Sequence, residues 1–162
     1  MAPDGHLEAL AKVVLNNLEN QHDWTEAQMH TPANLPRPMI YGLPPKRLYV
    51  HPDEQIAIIK AEKNRSERIP QTPEFEWVLP THLAEKWSPA QFAAVFDAID
   101  AIPPGGSSED DSDSAGPEDV DAQWKLWRGS KRGKRLLLAT VQDDSTVSYY
   151  FMFDGLVKPR QN

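Results

Sequence analysis

The apolar residues near the C-terminus follow a pattern that predicts a β-hairpin. Residues 136–141 and 146–153 form two apolar runs, and the polar residues 142–145 separate them. Runs rich in β-branched and aromatic residues around a short polar turn are typical of paired strands. Alternation along the second strand places Val147, Tyr149, Phe151 and Phe153 on one face and Ser148, Tyr150 and Met152 on the other. Because both faces are mostly apolar, we expect either a central strand or an edge strand that meets a partner.

Helical periodicity marks two further segments. Apolar residues between positions 7 and 18 recur at the spacing of one helix face. The run Ser88-Pro89-Ala90-Gln91 has the form of a capping box with proline at the first helical position. An apolar stripe continues from there to Ile102, and Pro103-Pro104-Gly105-Gly106 predicts the end of this helix.

The segments between these helices predict short strands and irregular stretches. Residues 24–30, 47–50 and 75–79 have the composition of strands, whereas residues 31–46 hold five prolines and predict an extended, irregular path. Residues 53–63 fit either a helix that begins at Pro52 or a continuation of the strand before them. Together these patterns predict an α/β (α+β) fold, with a mixed, mainly antiparallel sheet and two main helices.

The chain length of 162 residues fits one domain, which we expect to span residues 6–162. Residues 103–119 contain no hydrophobic residue larger than alanine and predict a disordered acidic insertion in that domain. The seven acidic residues between positions 103 and 122 equal the whole net charge of −7, so the rest of the chain is neutral overall. The net charge therefore says little about partners.

Composition also argues against several classes of protein and of functional site. The chain has no cysteine, no apolar run of the roughly 20 residues that a membrane span requires, and no pattern of a secretory signal. Its five histidines lack metal-ligand spacing, and no glycine-rich phosphate loop is present, so no metal or cofactor is expected. Metal-free RNA cleavage needs only an acid, a base and a charge stabiliser, which Tyr49, His51 and Lys60 could supply.

A basic cluster precedes the predicted hairpin and is a candidate RNA contact. Its charged members are Lys131, Arg132, Lys134 and Arg135. They suit phosphate contact or nuclear import, or they are a solvated approach to a strand. Nearby, Trp124 and Trp127 either stack on bases or pack on the sheet. A free-standing small RNA-binding protein is therefore an alternative function.

Several short motifs resemble one protein family. The runs Leu137–Val141, Asp144–Val147 and Asp154–Pro159, together with Tyr149-Tyr150, resemble the C-terminal signature of the smallest, non-catalytic subunit of the eukaryotic tRNA-splicing endonuclease, the Sen-fifteen type in its fungal form. The run Leu43-Pro44-Pro45 before Arg47–Val50, and Trp77–Pro80 before a helix, are also similar to that family.

The resemblance implies a tRNA-endonuclease-like domain without catalytic residues. The catalytic subunits of that enzyme use a Tyr, His and Lys triad, and here no histidine follows His82 to supply the corresponding order. The resemblance thus implies a structural role in excising introns from precursor tRNA. A ribonuclease active as a lone chain is a further, less favoured hypothesis.

The same resemblance implies the partners. Related subunits pair through their C-terminal strands, so we expect a heterodimer with a catalytic subunit, two such pairs in a heterotetramer, and a homodimer when the chain is isolated. Precursor tRNA would be met through the complex, and the expected location is nuclear, or cytoplasmic or on the mitochondrial surface in some fungi. The predicted interface comprises Val147, Tyr149, Tyr150, Phe151, Met152 and Phe153.

Overall fold

The protein forms a five-stranded mixed sheet with helices packed against it, which confirms the α+β class. A computed structural model describes residues 4–66, 68–69, 71–104 and 133–154. Its elements in chain order are α1 (Asp4–Gln21), β1 (Thr25–His30), β2 (Met39–Leu43), α2 (Pro52–Arg65), β3 (Glu76–His82), α3 (Pro89–Ala98), β4 (Arg135–Val141) and β5 (Val147–Phe153).

The strands lie in the sheet in the order of the chain, β1-β2-β3-β4-β5. All neighbours are antiparallel except β3 and β4, which run parallel. Parallel neighbours need a crossover connection, and α3 lies on the connection between these two strands. The order leaves β1 and β5 at the two edges.

Two apolar clusters, one on each face of the sheet, form most of the core. Alternation along β3 directs Val78 to one face and Trp77 and Leu79 to the other. The first face is covered by α1, whose stripe of Leu10, Val14 and Leu18 is buried there. The second face is covered by α3 through Val95 and Phe96, in the cluster that also holds Leu136.

Local signals in the sequence fix the start of α3, and the side chains of Lys134 and Trp77 bond to backbone carbonyls at and just after its end. Ser88 accepts from Gln91 N while the Gln91 side chain accepts from Ser88 N, so the predicted capping box is confirmed. The helix ends at Ala98, earlier than the predicted stripe, since Ile99 turns to extended backbone and is buried in the core. Lys134 Nζ donates to Phe96 O at 2.9 Å and Trp77 Nε1 donates to Asp100 O at 3.0 Å.

Three expectations for residues 31–63 need correction or completion. Residues 31–46 are not wholly irregular, because β2 occupies the proline-free window from Met39 to Leu43, where burial of the strand outweighs the prolines around it. Residues 47–50 do not form a strand, because Arg47 is directed into a buried ion-pair network. Of the two alternatives for residues 53–63 the helix is found, so the described residues hold a third helix, Pro52–Arg65, beside the two main ones.

Several sequence predictions lie outside the described residues. They concern the acidic insertion from residue 105 onward, both tryptophans at 124 and 127, Lys131, Arg132, and the end of the C-terminal signature after Asp154.

Candidate subunit interface

The predicted C-terminal hairpin is present, and its second strand lies at the edge of the sheet. Every residue of β5 has a partner in β4, from Val141↔Val147 at the turn to Arg135↔Phe153 at the open end. Among the residues described, no strand pairs with the outer edge of β5. An unpaired edge presents backbone donors and acceptors that can template another strand. Of the two predicted positions, central or edge, the structure therefore gives the edge.

The hairpin turn is set by local hydrogen bonds. Ser145 N donates to Gln142 O, and Ser145 has a positive φ of 68°. Asp144 Oδ1 accepts from Thr146 N at 3.0 Å, and hydrogen bonds from the Thr146 side chain and then from its backbone N–H lower the pKa of the Asp144 carboxyl. Asp143 reaches His82 Nε2 at 3.0 Å, which ties the turn to the end of β3. These contacts fix the register in which β5 leaves the turn.

One face of β5 packs on the protein's own core. Val147, Tyr149 and Phe151 contact the cluster that α1 covers. Tyr149 Oη donates to Asn17 Oδ1 at 2.6 Å, and the His22 ring meets the Tyr149 ring edge-on at 5.3 Å. Burial raises the pKa of Tyr149, which keeps its phenol in the donor form. These side chains therefore stabilise the fold of the chain itself.

The opposite face of β5 carries the strand's most exposed aromatic. Tyr150 is 63% exposed and lies opposite Leu138 of β4. Met152, two residues further on, packs against the cluster under α3. Of the six predicted interface residues, Tyr150 alone is exposed, while the other five are half-buried. An interface at β5 would thus rest on its edge backbone and on Tyr150.

An aromatic cluster extends the α1-facing side of β5 toward the segment before α2. The Tyr49 ring lies 5.5 Å from the Phe151 ring and 4.9 Å from the Phe153 ring, measured between centroids. The guanidinium carbon of Arg135 lies 5.1 Å from the Tyr49 ring centre. Burial raises the pKa of Tyr49. Tyr49, in the segment predicted as a strand, thus packs against β5.

Buried ion pairs lie beneath this aromatic cluster. Arg135 donates to both carboxylate oxygens of Glu76, at 3.0 and 2.6 Å, and their side chains are 5% and 1% exposed. Arg47 pairs with Glu54 at 2.6 Å and with Glu74 at 2.7 Å. Buried charges persist only where partners and hydrogen bonds compensate for lost hydration, as these do.

The carboxylates hold both guanidiniums in the charged form. Burial alone would lower the pKa of Arg47 and of Arg135. Hydrogen bonds to Glu54 and Glu74 for Arg47, and to Glu76 for Arg135, outweigh burial and raise each pKa above its usual value. Both guanidiniums therefore stay charged, and their ion pairs fix Arg47 against the sheet.

These contacts correct part of the predicted RNA-binding cluster. Arg135 is 4% exposed, and its charge is already paired with Glu76, so it is not available to a phosphate. Lys134 is half-buried and donates to the last turn of α3. Lys131 and Arg132 precede the described residues, and their contact with RNA stays a prediction.

The candidate acid–base group does not assemble. His51 accepts from Asp53 N at 3.0 Å and serves as the N-cap of α2, not as a free base. Lys60 lies on the exposed side of that helix, nine residues after His51 and therefore about 14 Å further along its axis at 1.5 Å per residue. Tyr49 is directed toward β5 instead. Within the described part of the chain, no group of histidines and carboxylates could hold a metal ion.

A second polar cluster lies at the end of β3. Arg37 donates to Glu85 at 2.9 and 3.2 Å and to Pro80 O at 2.6 Å, and its guanidinium carbon lies 4.7 Å from the Trp87 ring centre. Burial would raise the pKa of Glu85, but Arg37 and the His82 backbone N–H outweigh it and lower that pKa. The cluster secures the loop that leads into α3.

Sequence reasoning missed the ion-pair network and its link to β5. One signal was available: Glu74 and Glu76 are spaced by two residues on the approach to an apolar strand, so they share a face with buried Val78. Acids in line with a buried face need basic partners, yet the sequence alone does not say that Arg47 and Arg135 supply them.

Comparison with known proteins gives two matches. A family model described as "Sen15 protein" matches residues 13–110 and 120–162. A protein of Neurospora crassa, described as "Probable tRNA-splicing endonuclease subunit tsp-1", is 70% identical over 162 residues, which are all of this chain and 70% of that relative. The regions matched by the family model include all five described strands, among them the edge strand β5.

Proposed function

The chain belongs to the Sen15 protein family, and from that membership we propose that it is a non-catalytic subunit of a tRNA-splicing endonuclease. In this role it pairs with a catalytic subunit, supports that subunit's active shape, and contributes to intron excision from precursor tRNA. The name of the Neurospora crassa relative and the earlier resemblance of the C-terminal hairpin both support this function.

The edge position of β5 is the observation that carries the proposed pairing. Among the residues described, its outer edge has no strand partner, and Tyr150 beside that edge is 63% exposed. Strand addition uses the edge backbone for affinity and neighbouring side chains for specificity. The partner therefore supplies a strand that extends the sheet beyond β5, and two such heterodimers form the heterotetramer.

The non-catalytic role is supported by how the candidate residues are used. His51 caps α2, Tyr49 packs on Phe153, and Lys60 lies apart from both. His82 accepts from Ala84 N through Nδ1 and reaches Asp143 through Nε2, so both of its ring nitrogens have structural partners. Cleavage chemistry is then the task of the partner subunit.

Reconstitution tests this function. The chain is co-expressed with each candidate catalytic subunit of the same organism, and the products are examined by native mass spectrometry. We expect a 1:1 heterodimer with one catalytic subunit, and splice-site cleavage of precursor tRNA only when the partner is present. Cleavage by the lone chain, lost in His51→Ala or His82→Ala, would contradict the non-catalytic role.

The proposed function also carries expectations about location, self-association and RNA binding. A nuclear location follows from intron excision as the task, and imaging of the tagged protein tests it against a cytoplasmic or mitochondrial-surface location. Self-association of the isolated chain through β5 is expected at high concentration and should be displaced by the catalytic subunit. A free-standing RNA-binding role is less favoured, since Arg135 of the basic cluster is buried and paired.

A further inference from the structure

The segment just before α2 lies beside the edge strand and carries the exposed Leu48 next to the half-buried Tyr49. We propose that Leu48 and Tyr49 extend the subunit-binding surface of β5, so that the partner that pairs with β5 also covers these two residues. This inference rests on the proposed function, and it adds residues outside the C-terminal hairpin to the partner-binding surface.

Continuity of the aromatic rings is the first argument. The rings of Phe151 and Phe153 lie 6.0 Å apart in a stacked arrangement, and Tyr49 contacts both of them. All three rings are half-buried, so part of each ring remains open to solvent. A partner strand along β5 would approach this row of rings from the side of the sheet edge.

The distribution of exposed apolar residues is the second argument. Among the residues described, the large exposed hydrophobic side chains are Leu48, Ile56, Ile59, Leu83 and Tyr150. Leu48 belongs to the segment whose Tyr49 ring packs on β5, whereas Ile56 and Ile59 follow on α2. An exposed apolar side chain next to half-buried aromatic rings is typical of a surface that contacts another protein. Leu48, 42% exposed, adjoins the ring that touches β5.

The charges beneath the surface indicate the chemistry of the partner. Arg135 lies under the Tyr49 ring but is paired with Glu76, and Arg47 is paired with Glu54 and Glu74. Because these charges are matched internally, they offer little to a charged ligand. The group that covers Leu48 and Tyr49 is therefore an apolar side chain of the partner protein rather than a phosphate of RNA.

The network also holds this surface in place before binding. The Arg47 side chain is 3% exposed and is fixed by Glu54 of α2 and Glu74 ahead of β3. Residues 47–50 are thus anchored at one end by ion pairs and at Tyr49 by aromatic contacts. A surface ordered in advance loses less entropy on association, which favours its use as an interface.

The test measures affinity for the catalytic subunit identified by reconstitution. Leu48→Ser should weaken binding by about tenfold, the effect of about 1.4 kcal/mol, while leaving the melting temperature nearly unchanged because Leu48 is 42% exposed. Leu83→Ser is the matched control, since Leu83 is also exposed and lies beyond β3, at the end of the sheet opposite the Arg135–Phe153 pair. It should bind as the wild type does.

Substitutions at Tyr49 test the inference independently of Leu48. Tyr49→Phe keeps the ring and should bind as the wild type does, whereas Tyr49→Leu removes the tilted ring contacts with Phe151 and Phe153 and should weaken binding. Circular dichroism and melting temperature identify any loss of fold.

The outcomes separate this inference from the proposed function. If the wild type binds no catalytic subunit, the proposed function fails and this inference fails with it. If the wild type binds but Leu48→Ser matches Leu83→Ser, only the inference is wrong. A change confined to self-association would assign the surface to a second copy, and a large fall in melting temperature would assign it to the chain's own core. Either result contradicts the inference.

Discussion

At the scale of single residues, burial and neighbouring charges decide whether an arginine binds a ligand or stabilises the fold. Arg135 ends a basic cluster in the sequence, yet it is buried and bound to Glu76. Arg47 follows two prolines and a lysine, yet its guanidinium joins α2 to the approach of β3. Both arginines join separate parts of the chain through ion pairs. Replacing either of them should therefore lower the free energy of unfolding rather than weaken the binding of a ligand.

Replacing Arg135 by leucine should leave Glu76 buried without its main partner. Loss of one member of a buried ion pair costs about 3–5 kcal/mol, whereas replacing both by apolar residues is often close to neutral. We expect Arg135→Leu to lower the free energy of unfolding strongly and the double variant Glu76→Leu/Arg135→Leu to recover much of it. Urea denaturation measures both.

The exposed Arg68 provides the matched control for that prediction. Arg68→Leu should change the free energy of unfolding by no more than about 0.5 kcal/mol, as is usual for surface positions. Equal effects at Arg68 and Arg135 would show that the Glu76 pair contributes nothing specific.

Glu85 should make stability fall in acid. Its pKa is lowered in the folded protein, because Arg37 and the His82 amide favour its charged form. Its contribution is therefore complete above the unfolded pKa of about 4.3 and is lost as the pH falls through the lower folded pKa. Glu85→Gln should be less stable than the wild type at pH 7, and the difference should shrink in acid. If the free energies of unfolding of Glu85→Gln and the wild type differ by the same amount at pH 7 and in acid, this assignment is wrong.

At the scale of elements, β5 has two sides with different tasks. Tyr149 and Phe151 pack beneath α1, whereas Tyr150 is exposed on the opposite side. The strand therefore joins a core contact to a surface beside an unpaired edge, and its side chains can be separated by mutation.

Substitution on each side of β5 should have a different effect. Phe151→Ala should lower the free energy of unfolding by up to about 3 kcal/mol, less than for a fully buried phenylalanine. Tyr150→Ala should leave that free energy nearly unchanged and weaken association with the catalytic subunit. Denaturation and binding measured on the same samples distinguish the two. If Tyr150→Ala unfolds the domain and leaves association unaltered, the strand is core alone.

Close packing between β1 and β2 gives a further prediction. A Cβ added at Gly42 would lie 3.0 Å from Ala27 and from Trp24 Cε3. Gly42→Ala should therefore destabilise the fold by about 1–3 kcal/mol through overpacking. Gly5→Ala is the control, because nothing lies within 4 Å of a Cβ there. Thermal unfolding should show a lower midpoint for the first variant alone.

The elements that could be predicted are those fixed by short-range signals. The hairpin, α1 and the capping box of α3 depend on periodicity and on residues within a few positions of one another. By contrast, the sequence does not predict β2, because prolines flank this five-residue strand. Residues 47–50 have the composition of a strand without forming one, because β-branched and aromatic composition does not show what a segment packs against. The pairing of Arg135 with Glu76 joins residues 59 positions apart, which no local pattern reveals.

At the scale of the whole molecule, five strands in chain order leave two edges that differ. At β1 the register shifts between Thr25 and Gln28, an irregularity of the kind that protects edges. At β5 the register is regular over seven residues. Of the two edges formed by the described strands, β5 is thus the one suited to strand addition, with the Tyr49 cluster beside it.

Hydrogen–deuterium exchange of the heterodimer tests the pairing through β5 most directly. The chain is labelled alone and with its catalytic subunit, and the peptide covering residues 146–153 is compared with the one covering residues 25–30. We predict slower exchange in the β5 peptide on complex formation and no change in the β1 peptide. A stable heterodimer in which β5 exchanges as fast as in the lone chain, or in which β1 is protected instead, would contradict the account.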